Sequence, residues 1–239
     1  MKIAYDLHLH SCLSLCAEDD CTPAAIAGMA MLAGIEAFAL ADHQSARNCP
    51  AAARAAEAYG LIFVPGMELC TSEEVHVLCL FETVEGALAF SDYVAERLMI
   101  PFPRKRLDWR QTVMDEHDQP IAEEERWLGS PADIGIYDVA ALVQQYGGLA
   151  IPAHIDRPSS SLLANLGLYD PGMGFCCCEI TPGCDAALLR EAHPELEGMP
   201  FIRNSDAHEL ASIPDAAHHL EVAEASAKGI LDALRELRR

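Results

Sequence analysis

The first predicted strand, residues 2–9, ends in two histidines one residue apart, within the stretch DLHLHSCLSLCAEDDC at residues 6–21. Because alternate residues of a strand share a face, His8 and His10 are able to reach the same ion. Asp206 and His208 show the same spacing after a later predicted strand. Neutral imidazole and carboxylate are ligands of borderline divalent metals. The two pairs therefore predict a metal site.

More potential ligands lie on or just after other predicted strands. Six of the ten histidines and two carboxylates occupy such positions: His8, His10, His43, Glu68, His76, His154, Asp206 and His208. One histidine in such a place is more often a packed residue, but six of them favour a cluster of metal ligands over coincidence. The other four histidines lie in polar or terminal segments and are not predicted to bind metal.

The apolar runs alternate between strand and helix along the chain. Strands are predicted at residues 2–9, 36–41, 61–64, 74–81, 149–153, 175–180, 201–204 and 219–223. Repeated strand–helix units predict an α/β fold with a mostly parallel sheet, and about seven such strands favour a TIM-barrel-like (β/α) barrel. In such a barrel the carboxyl ends of the strands meet at one face. The length of 239 residues fits a single domain.

Residues 99–134 interrupt this alternation and are interpreted as an insertion in the barrel. The segment is polar and punctuated by proline, and one or two short helices are expected in it. A loop of this length is often a lid over an active site. It holds a basic cluster and a tryptophan suited to stacking on a base, namely Arg104, Lys105, Arg106, Arg110 and Trp109. A solvated decoration with no role at the site fits the segment equally well.

The composition bears on partners and compartment. Lys and Arg number 16 against 37 Asp and Glu, a formal net charge of −21. Duplex nucleic acid is bound largely through basic patches, so it is not expected as a partner. Neither a membrane span nor a signal peptide is predicted. The ten cysteines are interpreted as reduced thiols, so a cytoplasmic location is expected. An anionic substrate would then need positive charge from bound metal.

Six stretches, in this order, carry a resemblance to a known family: DLHLHS, LADHQS, VPGMELCT, EEVHVLCLF, AIPAHIDRPS and RNSDAHEL. Together they span residues 6–208 and resemble the PHP (polymerase and histidinol phosphatase) family. The resemblance implies a distorted seven-stranded barrel with two or three divalent ions at its C-terminal face, usually hydrolysing phosphoesters. Zinc, manganese and iron all suit the ligand set.

The resemblance also implies a ligand set for each ion. The first ion would be held by His8, His10, Glu68 and Asp206, the second by Glu68, His76 and His154, and the third by His43 and His208. The family usually completes the third site with Asp or His five or six residues past the second histidine, where this chain has Leu15 and Cys16. A thiolate is a good zinc ligand, so Cys16 is a predicted ligand. The alternatives are ligation by Asp19 or Asp20, a plain loop thiol at Cys16, and a third ion that is weakly bound or absent.

Three further roles are predicted at the site. Asp42 is expected to orient His43 or a neighbouring ligand. His208 or His43 is expected to protonate the leaving group. Arg157 lies three residues after His154 and is expected to bind a substrate phosphate.

The sequence thus predicts a phosphoesterase that acts on a small phosphorylated metabolite or a nucleotide through a hydroxide generated at the ions. An exonuclease on short oligonucleotides is one alternative. A metal-dependent amidohydrolase is another, although none of the lysines falls at a strand end to bridge two ions: Lys2, Lys105 and Lys228. A non-catalytic metal-binding module is a third. The sequence predicts no oligomeric state.

Overall fold

The computed structural model describes residues 1–102 and 110–238. The strands are β1 (Lys2–Leu9), β2 (Ala37–Leu40), β3 (Ile62–Cys70), β4 (His76–Phe81), β5 (Thr112–Met114), β6 (Pro120–Glu123), β7 (Gly148–Pro152), β8 (Cys178–Ile180), β9 (Phe201–Arg203) and β10 (His219–Glu221). The helices are α1 (Pro23–Leu32), α2 (Cys49–Tyr59), α3 (Val84–Ala95), α4 (Ile136–Gln145), α5 (Leu162–Leu166), α6 (Ala186–Ala192) and α7 (Ala227–Glu236). The predicted alternation of strand and helix is present along most of the chain.

The main sheet has six strands in the order β10-β1-β2-β3-β4-β7. Only the β1–β2 and β2–β3 pairs in it are parallel, while β4 runs antiparallel to both β3 and β7, and β10 is antiparallel to β1. The fold is therefore mixed α/β, and the expectation of a mostly parallel sheet is wrong. The reason is local: no helix separates β3 from β4, and a short connection joins only antiparallel neighbours.

The sheet curls into a half-barrel, and single contacts join its two sides. The β8–β9 pair is a separate two-stranded sheet. Ile155, after β7, donates its backbone N–H to the carbonyl of Glu179 in β8, and His10, after β1, donates to the carbonyl of Ala207, after β9. Within the described residues the ladders do not form the predicted seven-stranded barrel, because β8 and β9 are only three residues long and pair with each other alone.

Strand β3 runs through Pro65 and Gly66, where the sequence suggests a turn. A Cβ atom on Gly66 would lie 3.1 Å from the carbonyl oxygen of Leu40 and 3.2 Å from that of Cys79. The glycine thus serves close packing of β2 and β4 on β3 rather than a reversal of the chain. As a result Glu68 lies inside a long strand instead of beyond a short one.

Both faces of the curved sheet are buried under helices. Alternate strand residues including Leu7, Ala39 and Leu78 pack with Leu231 and Leu234 of α7. On the opposite side, residues of β2 pack with α1 and α2. Serine, threonine or aspartate side chains cap the first turns of α3, α5, α6 and α7 by accepting backbone N–H groups. This framework holds the strand ends, and hence the site, in place.

The described part of the insertion forms a hairpin, β5–β6, and contains no helix. The hairpin is fastened to the loops that follow β1 and β2. Asn48 donates its side-chain N–H to the carbonyl of Thr112 at 3.1 Å and accepts from the backbone of Met114 at 2.9 Å. Of the predicted basic cluster only Arg110 is described; Arg104, Lys105, Arg106 and Trp109 lie outside the described residues. The lid role of the insertion stays a prediction.

In the part of the chain that the structure describes, no helix combines the length and the apolar character needed to cross a bilayer.

Candidate metal centre

The carboxylate of Glu68 lies at the centre of five imidazole rings. Its Oε2 is 2.8 Å from Nδ1 of His43 and 3.6 Å from Nε2 of His10. Its Oε1 is 3.0 Å from Nδ1 of His76, 3.1 Å from Nε2 of His154 and 3.4 Å from Nε2 of His8. Glu68 is 1% exposed. One buried carboxylate that touches five histidines has the position expected of a bridge between cations.

His76 joins the cluster in a way that the sequence did not suggest. It is the first residue of β4, whereas the other ligands lie near the carboxyl ends of their strands. Because β4 is antiparallel to β3, its start pairs with Cys70 at the end of β3. The same edge of the sheet therefore receives the end of one strand and the beginning of the next.

Asp206 forms the second acidic position of the cluster. Its Oδ1 is 3.0 Å from Nε2 of His10 and 3.4 Å from Nε2 of His8. The ring of His208 stacks on that of His10 with centroids 4.1 Å apart. Asp206 and His154 both have positive φ angles, 53° and 29°. Such strain is uncommon in residues other than glycine and accumulates at functional sites.

The donor atoms fit divalent cations. Nε2 of His8 and Nε2 of His10 are buried and make no hydrogen bond of acceptable geometry within the described residues. Buried polar atoms without partners are costly in a folded protein unless something binds them. Three overlapping groups have ligand atoms within 4.8 Å of one another: His8–His10–Glu68, His43–Glu68–His76 and His10–His43–His208.

The charges of the cluster shift the titration of its members. Burial raises the pKa of Glu68, but the charges of His76, His8 and His43 outweigh it and hold that pKa well below its usual range. Burial lowers the pKa of His8, while Glu179 and Asp206 oppose it and carry it well above its ordinary value. A bound cation would compete with the proton for the ring of His8.

Two buried relays fix the ring orientations of His10 and His8. Ser14 donates its hydroxyl to Asp42 at 2.7 Å, so its oxygen accepts from Nδ1 of His10 at 3.0 Å and from the backbone of His43 at 3.1 Å. This arrangement leaves Nε2 of His10 without a proton and free to bind a cation. The carboxylate of Asp42 therefore contacts the cluster through Ser14 rather than through the ring of His43.

Glu179 performs the same task for His8 and escaped the sequence analysis. Its carboxylate lies 3.0 Å from Nδ1 of His8 and accepts from the backbone of His154 at 2.9 Å and from the Asn204 side chain at 2.7 Å. The signal that would have revealed it is a single charged residue in the otherwise apolar run CCCEI. Charged residues are rarely buried in a strand without a partner.

Cys16 lies beside the third group of ligands. Its Sγ is 3.2 Å from Nε2 of His43. Desolvation raises the pKa of the thiol, but hydrogen bonds with His208 and His43 outweigh it and lower the pKa to about 6. The predicted replacement of the usual third-site ligand thus has the right neighbours, and its role as a ligand stays a prediction.

Alkylation tests that role directly. In metal-free protein above pH 6, where Cys16 is a thiolate, iodoacetamide is expected to label it faster than Cys184, whose thiol pKa is raised by burial. Labelling should slow as the pH falls through about 6, and zinc should protect Cys16. Peptide mapping by mass spectrometry measures both rates. Equal labelling of the two cysteines, or no protection by zinc, would contradict the ligand role.

Arg157 occupies the rim of the cluster, and its role in phosphate binding stays a prediction. Its Nη1 is 2.7 Å from Oδ2 of Asp206, and its side chain is 42% exposed. A cavity of about 100 Å³ beside it is lined also by His154, Thr181 and Ser205. The guanidinium therefore borders both the ligands and the solvent. Arg203 is directed elsewhere and donates to the carbonyl of Cys184 at 2.7 Å.

Comparisons with known proteins show the fold and leave the family open. No family model matches the chain. An uncharacterized protein, YqxK of Bacillus subtilis (strain 168), is 38% identical over 77 residues, which are 30% of this chain and 19% of YqxK. The lesion-specific endonuclease Q from Pyrococcus furiosus superposes with a TM-score of 0.73 at 19% identity, covering 98% of this chain and 56% of the endonuclease.

Two more solved structures share the fold over nearly their whole length. A protein proposed to be a metal-dependent phosphoesterase, from Bifidobacterium adolescentis ATCC 15703, has a TM-score of 0.62 at 17% identity and is covered to 94%, with 98% of this chain. An amidohydrolase from Chromobacterium violaceum, with bound sulfate and no metal, has a TM-score of 0.61 at 18% identity and is covered to 96%, again with 98% of this chain. These likenesses agree with a PHP-like fold.

One comparison overturns the expectation that duplex nucleic acid is not a partner. A second structure of endonuclease Q contains a 27-mer duplex with an abasic lesion at the active site, and it matches 98% of this chain with a TM-score of 0.68 at 19% identity. The match covers 57% of that chain. Net charge is a property of the whole molecule, whereas contacts with DNA depend on the local charge at the contact. Regions of endonuclease Q outside the match also contribute to its length. The charge of −21 therefore excludes no duplex.

Proposed function

We propose that this chain is a metal-dependent phosphoesterase that hydrolyses a small phosphorylated metabolite or a nucleotide. The observation that carries the proposal is the buried carboxylate of Glu68 in contact with five imidazoles. Such a donor set suits two or three divalent ions, with zinc, manganese and iron as candidates. Ions in a cluster of this kind activate water and neutralise charge that develops on a phosphoryl group.

We assign the ligands as the family resemblance implies. His8, His10 and Asp206 would share the first ion with Glu68, and His76 and His154 would share the second. His43, His208 and Cys16 would hold the third. The orphaned nitrogens of His8 and His10 support the first assignment, and the short distance between Cys16 and His43 supports the last.

The remaining side chains would bind the substrate and manage protons. Arg157 has guanidinium N–H groups at the rim and would donate them to phosphate oxygens. Nδ1 of His208 donates to the carbonyl of Asp206 at 2.8 Å, so Nε2 is the atom that it offers to a cation or, when protonated, to a leaving oxygen. Asp42 and Glu179 would keep His10 and His8 in the tautomer with a free Nε2.

Replacing Arg157 with glutamine is expected to raise KM for a phosphomonoester about tenfold or more, because a charged hydrogen bond to the substrate is lost. Substitution with lysine keeps the charge and should recover part of the loss. Steady-state kinetics on metal-loaded protein measure both variants. Unchanged KM in Arg157→Gln would remove this residue from substrate binding.

A nuclease is the second candidate, favoured by the likeness to endonuclease Q. The structure of that enzyme with an abasic duplex makes damaged DNA a substrate to test here. Exonuclease action on short oligonucleotides belongs to the same class. An amidohydrolase is the third candidate, favoured by the likeness to the Chromobacterium violaceum amidohydrolase, although none of the three lysines falls at a strand end, where a lysine could bridge two ions.

A panel of substrates separates these activities. Phosphomonoesters, nucleoside 3′,5′-bisphosphates, single-stranded oligonucleotides, a duplex with an abasic site and an N-acyl amide are each incubated with manganese-loaded protein. The proposal expects phosphate release from a monoester or bisphosphate, and no release by Glu68→Gln. Cleavage of the abasic duplex alone would establish the nuclease, and turnover of the amide alone would establish the amidohydrolase.

A further inference from the structure

A second cavity is lined in part by residues that directly follow the ligand His43 in the sequence. Its lining is a different set of residues from the metal centre. Its volume is about 280 Å³, and it is bounded by the segment after His43, by α3 and by the end of the insertion. Polar side chains form most of its wall, namely Gln44, Ser45, Arg47, Ser91, Asp92, Glu124 and Arg126. None of the predicted metal ligands lines it.

Two arginines in this wall share one carboxylate. Nη1 of Arg47 is 2.9 Å from Oε2 of Glu124, and Nε of Arg126 is 3.2 Å from its Oε1. Glu124 is nearly buried, whereas about two-fifths of each arginine side chain is exposed. A guanidinium has five N–H donors, and each of these two uses one nitrogen on Glu124. The remaining donors are left for an anion.

Gln44, which also lines the cavity, carries a buried acceptor. The residue is 1% exposed, and its amide nitrogen donates to the carbonyls of Cys70 and Ser130 at 3.0 and 2.7 Å. Its oxygen Oε1 has no hydrogen-bond partner among the described residues. A buried acceptor without a partner calls for a donor from a ligand or from water. Asp92 supplies a further acceptor at the wall.

We infer that this cavity is a binding site for a phosphate group that keeps a proton or carries a neighbouring hydroxyl. Anionic oxygens would accept from Arg47 and Arg126, and the O–H would donate to Gln44. The two acceptors in the wall would disfavour a fully ionised anion, because it has no proton to give them. The site is independent of the proposed hydrolysis, since it uses no residue of the metal centre.

The test uses the metal-loaded 239-residue chain in which Trp109→Phe leaves Trp127 as the sole tryptophan. Trp127 lies in sequence between Arg126 and Leu128, both of which line the cavity, and its emission is followed during the titration. Titration with inorganic phosphate should give a saturable change. Sulfate, which has no proton at neutral pH, should bind about tenfold more weakly or worse.

Variants assign the signal to the cavity. Arg47→Gln and Arg126→Gln should each weaken phosphate binding about tenfold or more. Arg54 on α2 forms an exposed ion pair with Glu116. Arg54→Gln removes the same charge as the cavity variants and should change phosphate binding less than about twofold. Glu124→Gln keeps both arginines, removes one negative charge and should tighten binding about threefold or more.

Each contrary result overturns the inference. An unaltered phosphate affinity in Arg126→Gln would place the bound anion at the metal centre instead. An absent signal, equal binding of sulfate, or a loss in Arg54→Gln as large as in Arg126→Gln would mean that the cavity holds water only. If an arginine variant does not fold, Glu124→Gln decides alone, and unchanged or weaker binding counts against the site.

Discussion

Replacing Glu68 with glutamine is expected to abolish metal-dependent hydrolysis and to release at least one ion. The substitution keeps the shape of the side chain but removes the negative charge that five histidines contact. Loss of a residue that merely supports a ligand reduces metal affinity or activity about 10- to 100-fold. Loss of the carboxylate proposed to bridge two ions should therefore exceed about 100-fold.

The measurement pairs phosphate release with metal content by mass spectrometry of the purified protein. Glu74→Gln is the matched control, since Glu74 is exposed in the short turn between the same two strands. Its activity and metal content should equal those of the wild type. Full activity in Glu68→Gln, or an equal loss in Glu74→Gln, would refute the central position given to Glu68.

Replacing Glu179 with glutamine is expected to weaken metal binding about 10- to 100-fold while the protein stays folded. A neutral amide cannot hold Nδ1–H of His8 as a carboxylate does. The carboxylate accepts from His8, from the backbone of His154 and from Asn204, so the NH₂ group of glutamine would face at least one of these donors without an acceptor. The ring would lose the orientation that presents Nε2 to the cluster.

Metal titration by calorimetry and thermal unfolding of the metal-free protein distinguish positioning from simple destabilisation. Glu179→Gln should lower metal affinity more than Glu191→Gln, which alters an exposed residue of nearby α6. Activity at saturating metal should recover in part. If affinity stays within about twofold of the wild type, Glu179 has no role in presenting His8.

The residues that face the cluster were largely predictable because their types and spacing encode the chemistry directly. His8 and His10 share a strand face, and the ordered motifs lead to Glu68, His154 and Asp206. Glu179 was not predictable by this route, since its contact with His8 spans 171 positions in sequence. The relay from Asp42 through Ser14 depends on a loop conformation that no strand pattern specifies.

The fold was predictable at the level of elements and less so at the level of pairing. The predicted strands 2–9 and 36–41 correspond to β1 and β2. The direction of β4 depends on the short link that precedes it. In the described part of the insertion a hairpin is found where short helices were expected. The binding partner was the hardest property to predict from the sequence. Net charge is an average over the whole surface, whereas binding depends on the charge at the contact.

Anomalous diffraction from crystals grown with manganese or zinc tests the metal centre most directly. The proposal predicts at least two peaks about 3.5–4 Å apart, on either side of the Glu68 carboxylate, with His8, His10 and Asp206 around one and His76 and His154 around the other. Loss of these peaks in Glu68→Gln crystals would complete the assignment. Metal-saturated crystals with no peak among these residues would contradict the account.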